Sequence, residues 1–192
     1  MPVFFFFTQY ERRRSMIDSL SLKLAEGLKK HVPDHKASIP VLKRGLDVIL
    51  NTVGILVMSL GISLITGNTR EVVIILLSFG LLRQLSGGFH LQSNVGCILL
   101  SSFLFTSLSF LQPGQAITVA LTCISIVLVL FFAPSGITGY TRIRPKYYPA
   151  LRISSAVLVA SNLFILSPVV AVSFFAQSLT LIHRIGGESR HG

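Results

Sequence analysis

The chain has 192 residues, of which 51% are apolar and only 12% charged, about half the share of a soluble domain. With a mean hydropathy of +0.72 and several long apolar runs, it reads as a polytopic membrane protein rather than a soluble domain. Its net charge of +10 is concentrated at the edges of those runs, so the basic residues set topology and attract anionic lipid, and nucleic acid is not an expected partner.

Residues 4–7 are all phenylalanine, but Arg12, Arg13 and Arg14 follow them rather than precede them. The run is also too short for a cleavable signal peptide. Residues 15–32 predict an amphipathic helix, with Ile17, Leu20, Leu24 and Leu28 at helical spacing and Lys23, Lys29 and Lys30 off that stripe. Ser15 with Asp18 resembles a capping box, and Pro33 ends the element. Such a helix suits the membrane interface, or else packs on its own chain.

The apolar segments follow. Residues 46–66 are long enough to cross a bilayer. Residues 72–82 cover roughly 16 Å, about half of a hydrocarbon core, so this segment borrows residues through Phe89 or dips in and returns. Residues 95–111, 116–133, 151–166 and 169–185 are the remaining four, the last two split by Ser167-Pro168. The expected fold is an all-α polytopic integral membrane protein. It has six transmembrane helices, or five plus a re-entrant segment, after an N-terminal amphipathic interfacial helix. Residues 1–192 form a single membrane domain. Within it, 1–44 are a basic arm, 45–185 the transmembrane region with a basic loop at 134–150, and 186–192 a tail. With a cytoplasmic N-terminus and six crossings, sixteen of the 17 lysines and arginines fall on the cytoplasmic side and Arg70 alone opposite.

The stretch 83–97 carries the chemistry. His90 and Cys97 stand seven residues apart behind Gly87-Gly88. A thiol becomes a useful nucleophile beside a base or in an electropositive setting. In one unbroken helix the two side chains would lie about 10 Å apart along the axis, whereas proton transfer needs roughly 3 Å. A break is therefore required, and the glycine pair permits one. Ser93 or Asn94 can cap a new helix, placing Cys97 in its first turn. There the helix dipole favours a thiolate, and exposed backbone amides can stabilise an oxyanion. The other cysteine, Cys123, lies mid-span and is expected to be inert packing.

The pattern Arg83, Gly87, Gly88, His90, Ser93 and Cys97 resembles the hallmark of the accessory gene regulator B (AgrB) family, the membrane cysteine endopeptidases of Gram-positive quorum sensing. Length, basic N-terminal arm, Ala133-Pro134 and Arg144-Pro145 fit the same plan, although the loop is somewhat stretched and Leu91-Gln92 is less typical. The resemblance implies that the chain cleaves the C-terminal part of an AgrD-type propeptide, with Cys97 as nucleophile and His90 as base, then acid. A thioester acyl-enzyme would be captured by a Cys or Ser side chain of the precursor, giving a cyclic thiolactone or lactone. It also implies a bacterial cell membrane location and a homodimer.

Other residues carry competing roles. Arg83 either holds a substrate carboxylate or marks the inner membrane edge. Arg142, Arg144 and Lys146 either draw in an acidic precursor segment or set topology. Asp47, which shares a helix face with Asn51, either orients His90 or pairs with Lys43 one turn back. Gln84 and Ser86 are rival third members. Ser59, Ser63 and Gly67 have small-xxx-small spacing that packs helices or protomers. His31 and His35 flank Pro33, which breaks the face a metal pair needs, and neither metal nor cofactor is expected. The rival class is a noncatalytic transporter or scaffold for a small peptide, in which His90 and Cys97 merely pack.

Overall fold

A computed structural model describes residues 16–32, 37–88, 93–135 and 145–182. The predicted features Ser15, Pro33, His90, Arg142, Arg144 and the tail at 186–192 lie outside the described residues. The described chain is helical: α1 (Met16–His31), α2 (Ile39–Thr66), α3 (Thr69–Ser86), α4 (Asn94–Ser109), α5 (Gln115–Phe132), α6 (Tyr148–Ala160), α7 (Asn162–Ile165) and α8 (Pro168–Leu179). A short 3-10 turn, Pro145–Tyr147, precedes α6.

Three stretches are long and apolar enough to cross a membrane: Ile39–Thr66, Gln115–Phe132 and the α6–α7 stretch Tyr148–Ile165. The other apolar helices fall short in one respect each. α3 reaches 18 residues but carries Arg70, Glu71 and Arg83. α4 has 16 residues. α8 has 12, which is about 18 Å of helix against a core near 30 Å. α2 starts seven residues before the predicted apolar run because Pro40 is tolerated in a first helical turn, where its missing N–H costs nothing.

The chain divides into two compact units, Met1–Met58 with Leu91–Ser102, and Ser59–His90 with Phe103–Gly192. In the first unit, α1 turns a small-residue face inward. Ser21 and Ala25 are fully buried, while Leu20, Leu24 and Leu28 are 47%, 42% and 48% exposed. The leucine stripe is thus turned outward, as an interfacial helix requires, and only the small face packs on the chain.

The second unit holds the apolar core of Leu82, Val129, Ala133, Val159, Phe174 and Leu181. α5 packs on α8 and α6, and α3 packs on the same two helices. Phe79 and Phe105 meet edge to face at 4.8 Å. Polar contacts between helices are made by short side chains: Ser78 Oγ donates to Ser173 Oγ at 2.8 Å, and Asn162 Nδ2 donates to Thr122 Oγ1 at 3.1 Å. Asn162 also manages the break before α8, accepting the Ser167 N–H at 3.2 Å. Leu166 closes α7 in the left-handed region, and Ser167 caps α8 ahead of Pro168. Ser59 and Ser63 are fully buried within the chain, and Gly67, the third member of that spacing, is exposed.

Candidate functional site

Cys97 and the residues around it belong to the first unit. Ser93 sits at the N-cap of α4, where its hydroxyl accepts the Gly96 N–H at 3.3 Å and its carbonyl accepts the Cys97 N–H at 2.9 Å. Ser93 is therefore the cap, while the Asn94 side chain turns away and donates to Asp18 Oδ1 at 3.2 Å. Cys97 occupies the first turn, near the positive end of the helix. Two of the expected oxyanion donors are already engaged, those of Gly96 and Cys97. Asn94 and Val95 are the first-turn amides that no described residue takes.

The sulfur is buried, with 7% of the residue exposed. Asn51 Nδ2, from α2, donates to Sγ at 3.6 Å, and Ser101 Oγ lies 4.0 Å from the same atom. Asn51 is itself 3% exposed. Its Oδ1 is buried and has no hydrogen-bond partner among the described residues. Such an orphaned acceptor costs about 1–3 kcal/mol. The helices can come this close because Gly54 lies one turn beyond Asn51. A Cβ placed at Gly54 would stand 2.5 Å from Ile98 Cδ1 and 3.1 Å from its Cγ1.

Asp47 lies one turn before Asn51. Its carboxylate accepts from Lys43 Nζ at 2.7 Å and, in a short contact, from Ser21 Oγ of α1. Lys43 also reaches Asp18 Oδ1 at 3.6 Å. The expected Lys43 pair is therefore present, while the other role, orienting His90, falls on a residue outside the described ones.

The glycine pair belongs to the second unit. α3 ends at Ser86, and Gly87 caps it at φ 72°, with its N–H donated to Arg83 O. Gly88 follows at φ 135°, a backbone shape that favours glycine. A Cβ there would meet Thr180 Oγ1 at 2.7 Å and Gln177 Nε2 at 3.1 Å. The Gly88 N–H donates to Ser135 O at 3.0 Å and the Ser135 N–H to Ser86 O at 2.9 Å, a parallel bridge between the two segments. Gln177 Nε2 donates to Gly87 O at 2.6 Å and to Ser86 Oγ at 3.3 Å. The Ser86 hydroxyl in turn donates to Leu82 O at 2.8 Å. Ser86 is thus a buried structural hydroxyl, and Gln84 is exposed. Since α3 stops at Ser86 and α4 starts at Asn94, no single helix carries both His90 and Cys97.

The remaining expectations divide. Arg152 Nε donates to Ala133 O at 2.7 Å, tying the start of α6 to the end of α5. Lys146 is exposed, its Nζ 5.0 Å from the centroid of the Tyr147 ring. Arg83 is half-buried. Cys123 is a correction: it is exposed on the apolar surface of α5 rather than packed in a core. Two polar side chains lie outside the pattern legible in the sequence: Asn51, which shares a helix face with Asp47, and Gln177 of α8. The available signal was a lone carboxamide in an apolar helix, which is costly unless it is used.

Residues 21–183 match the family model described as Accessory gene regulator B. An AgrB-like protein of Halalkalibacterium halodurans is 35% identical over 95 residues, which cover 50% of this chain and 48% of that protein. The chain thus spans about half the length of that relative. An AgrB-like protein of Listeria monocytogenes is 29% identical over 171 residues, 85% of this chain and 81% of that one. One of Clostridium acetobutylicum is 23% identical over 173 residues, 88% and 82% of the two chains. No solved structure matches the chain.

Proposed function

The chain belongs to the accessory gene regulator B family, and on that premise we propose that it is a membrane-embedded cysteine endopeptidase that matures an AgrD-type propeptide. Cys97 is the nucleophile and His90 its base. The observation that carries this reading is the placement of Cys97. It sits in the capped first turn of α4, buried and hydrogen-bonded at sulfur, and Gly87, Gly88 and Ser93 lie outside helix. The family match covers the whole of that segment.

In the reaction, His90 takes the thiol proton as Sγ attacks the scissile carbonyl. The C–N bond then breaks, His90 returns the proton to the leaving amine, and the C-terminal fragment departs. The acyl group stays on Cys97 as a thioester, which retains enough acyl-transfer potential to be taken by a Cys or Ser side chain of the same peptide. Tethering makes that capture intramolecular, and burial keeps water from competing. The product is a thiolactone or lactone ring. Arg83, Arg142, Arg144 and Lys146 are assigned to holding acidic parts of the precursor. Gly87, Gly88 and Ser93 shape the chain around the dyad.

The 192 residues act as one membrane domain with a cytoplasmic N-terminus and the dyad at the cytoplasmic edge. α1 rests on anionic lipid through its leucine stripe and flanking lysines. The protein works as a homodimer. The test is co-expression in membranes with an AgrD-type propeptide, followed by mass analysis. Wild type and Cys123→Ser release the C-terminal fragment, and Cys97→Ala and His90→Ala do not. Unchanged cleavage by Cys97→Ala would remove the nucleophile assignment.

A further inference from the structure

We propose that Asn51 is a working part of the Cys97 site, its Nδ2 holding the sulfur and its unpartnered Oδ1 accepting a backbone N–H of the bound peptide. The inference rests on the peptidase reading above and goes beyond it, since nothing in the motif 83–97 includes a residue of α2.

Three observations converge. Nδ2 lies 3.6 Å from Sγ and is aimed at it. The residue is 97% buried, and its other polar atom has no partner among the described residues. Gly54 lets α2 and α4 approach at this level, where any larger residue would press on Ile98. A buried amide with half its hydrogen-bonding capacity unused is poor structural filler, because an apolar side chain of similar size would avoid the desolvation cost. It makes sense where a donor arrives with the reaction.

The chemistry of that donor follows from position. Any peptide whose carbonyl carbon comes within reach of Sγ brings its own backbone N–H groups within a few ångströms. An acceptor fixed beside the sulfur can take the N–H of the residue that supplies the scissile carbonyl. The donor half of the carboxamide acts on the other partner. An N–H pointing at sulfur favours the thiolate over the thiol and fixes the direction of its lone pairs. The peptide is thereby oriented by the same group that orients its attacker.

The experiment separates the two halves. The full chain, carrying Cys123→Ser, is compared with Asn51→Ala and Asn51→Asp in native membranes. One readout is iodoacetamide alkylation of Cys97 against pH. The other is KM and kcat for cleavage of an AgrD-type propeptide with an amphipathic start, a central Cys or Ser and an acidic end. Asn51→Ala is expected to slow alkylation of Cys97 severalfold at neutral pH and to raise KM severalfold. Asn51→Asp keeps the shape and the acceptor but not the donor. It is expected to slow alkylation at least as much while leaving KM near wild type. An Asn51→Ala protein with an unchanged alkylation rate, or with an unchanged KM, would overturn the proposal. The alkylation arm needs no peptidase activity, so an unchanged alkylation rate in Asn51→Ala overturns this proposal even where cleavage still depends on Cys97.

Discussion

Gln177 in α8 donates its side-chain amide to the carbonyl of Gly87 at 2.6 Å, across 90 residues of sequence. The same nitrogen reaches Ser86 Oγ at 3.3 Å, so one buried carboxamide fastens the end of α3 at the point where the chain departs towards His90. Replacing Gln177 by Leu leaves the half-buried Gly87 carbonyl without this donor, at a cost of about 1 kcal/mol. Propeptide cleavage is expected to fall by at least tenfold while the protein still inserts. Cleavage by Gln177→Leu within twofold of wild type would show that the fastening is dispensable.

Two glycines of the same helix region should behave in opposite ways. Gly88 has φ 135°, and an added Cβ would meet Thr180 Oγ1 at 2.7 Å. Gly88→Ala is expected to lose about 1–3 kcal/mol of stability and most cleavage. Gly80, inside α3, has open space where a Cβ would go. Gly80→Ala should be neutral or stabilise by up to about 1 kcal/mol. Thermal unfolding in detergent, followed by far-UV circular dichroism, reads both variants alongside the cleavage assay.

The approach of α2 to α4 at Gly54 makes a double-mutant prediction. Gly54→Val is expected to press on Ile98, separate Asn51 from Cys97 and slow cleavage severalfold. Ile98→Ala alone should cost about 2–5 kcal/mol, since its side chain is buried. Combined with Gly54→Val it should restore part of the lost activity, because the new bulk then has somewhere to go. Strictly additive losses would mean that the two positions do not communicate.

Asp47 offers a sharper test of its own role. Ser21 and Lys43 already occupy its carboxylate. Asp47→Asn keeps the shape and one acceptor oxygen, so cleavage is expected to stay within about threefold of wild type, with a loss of about 1 kcal/mol in stability from the weakened pair. A fall to the level of His90→Ala would instead assign Asp47 to orienting His90.

The helices were legible in the sequence wherever apolar periodicity and membrane length coincided, and less so at their ends. α3 was predicted at 72–82 because hydropathy stops at charge, yet Thr69, Arg70, Glu71 and Arg83 continue the same hydrogen-bonded ladder to Ser86. α8 ends at Leu179, short of the predicted 185, where Thr180 turns its hydroxyl back onto Gln177 O. The leucine stripe of α1 was visible as a pattern. That its buried side would be Ser21 and Ala25 was not, because small residues give no hydropathy signal. The break between His90 and Cys97 could be argued from Gly87-Gly88 and Ser93 alone. Asn51 and Gln177 could not be found that way, since each acts on a partner 46 or more residues distant, and a single sequence carries no record of which segments meet.

The contacts of α1 have a consequence for the order in which the chain is made. Asp18, Ser21, Lys43 and Asp47 are all synthesised well before Asn94, and their cluster can close as soon as α2 has formed. Asn94 then docks on Asp18, and Cys97 meets Asn51. At ordinary rates of synthesis, the roughly fifty residues between Asp47 and Cys97 take several seconds to emerge. For that interval the Asn51 amide has no sulfur to meet. Cys97 is thus expected to arrive at a helix pair that has already closed, and substitutions in α1 are expected to act first on assembly.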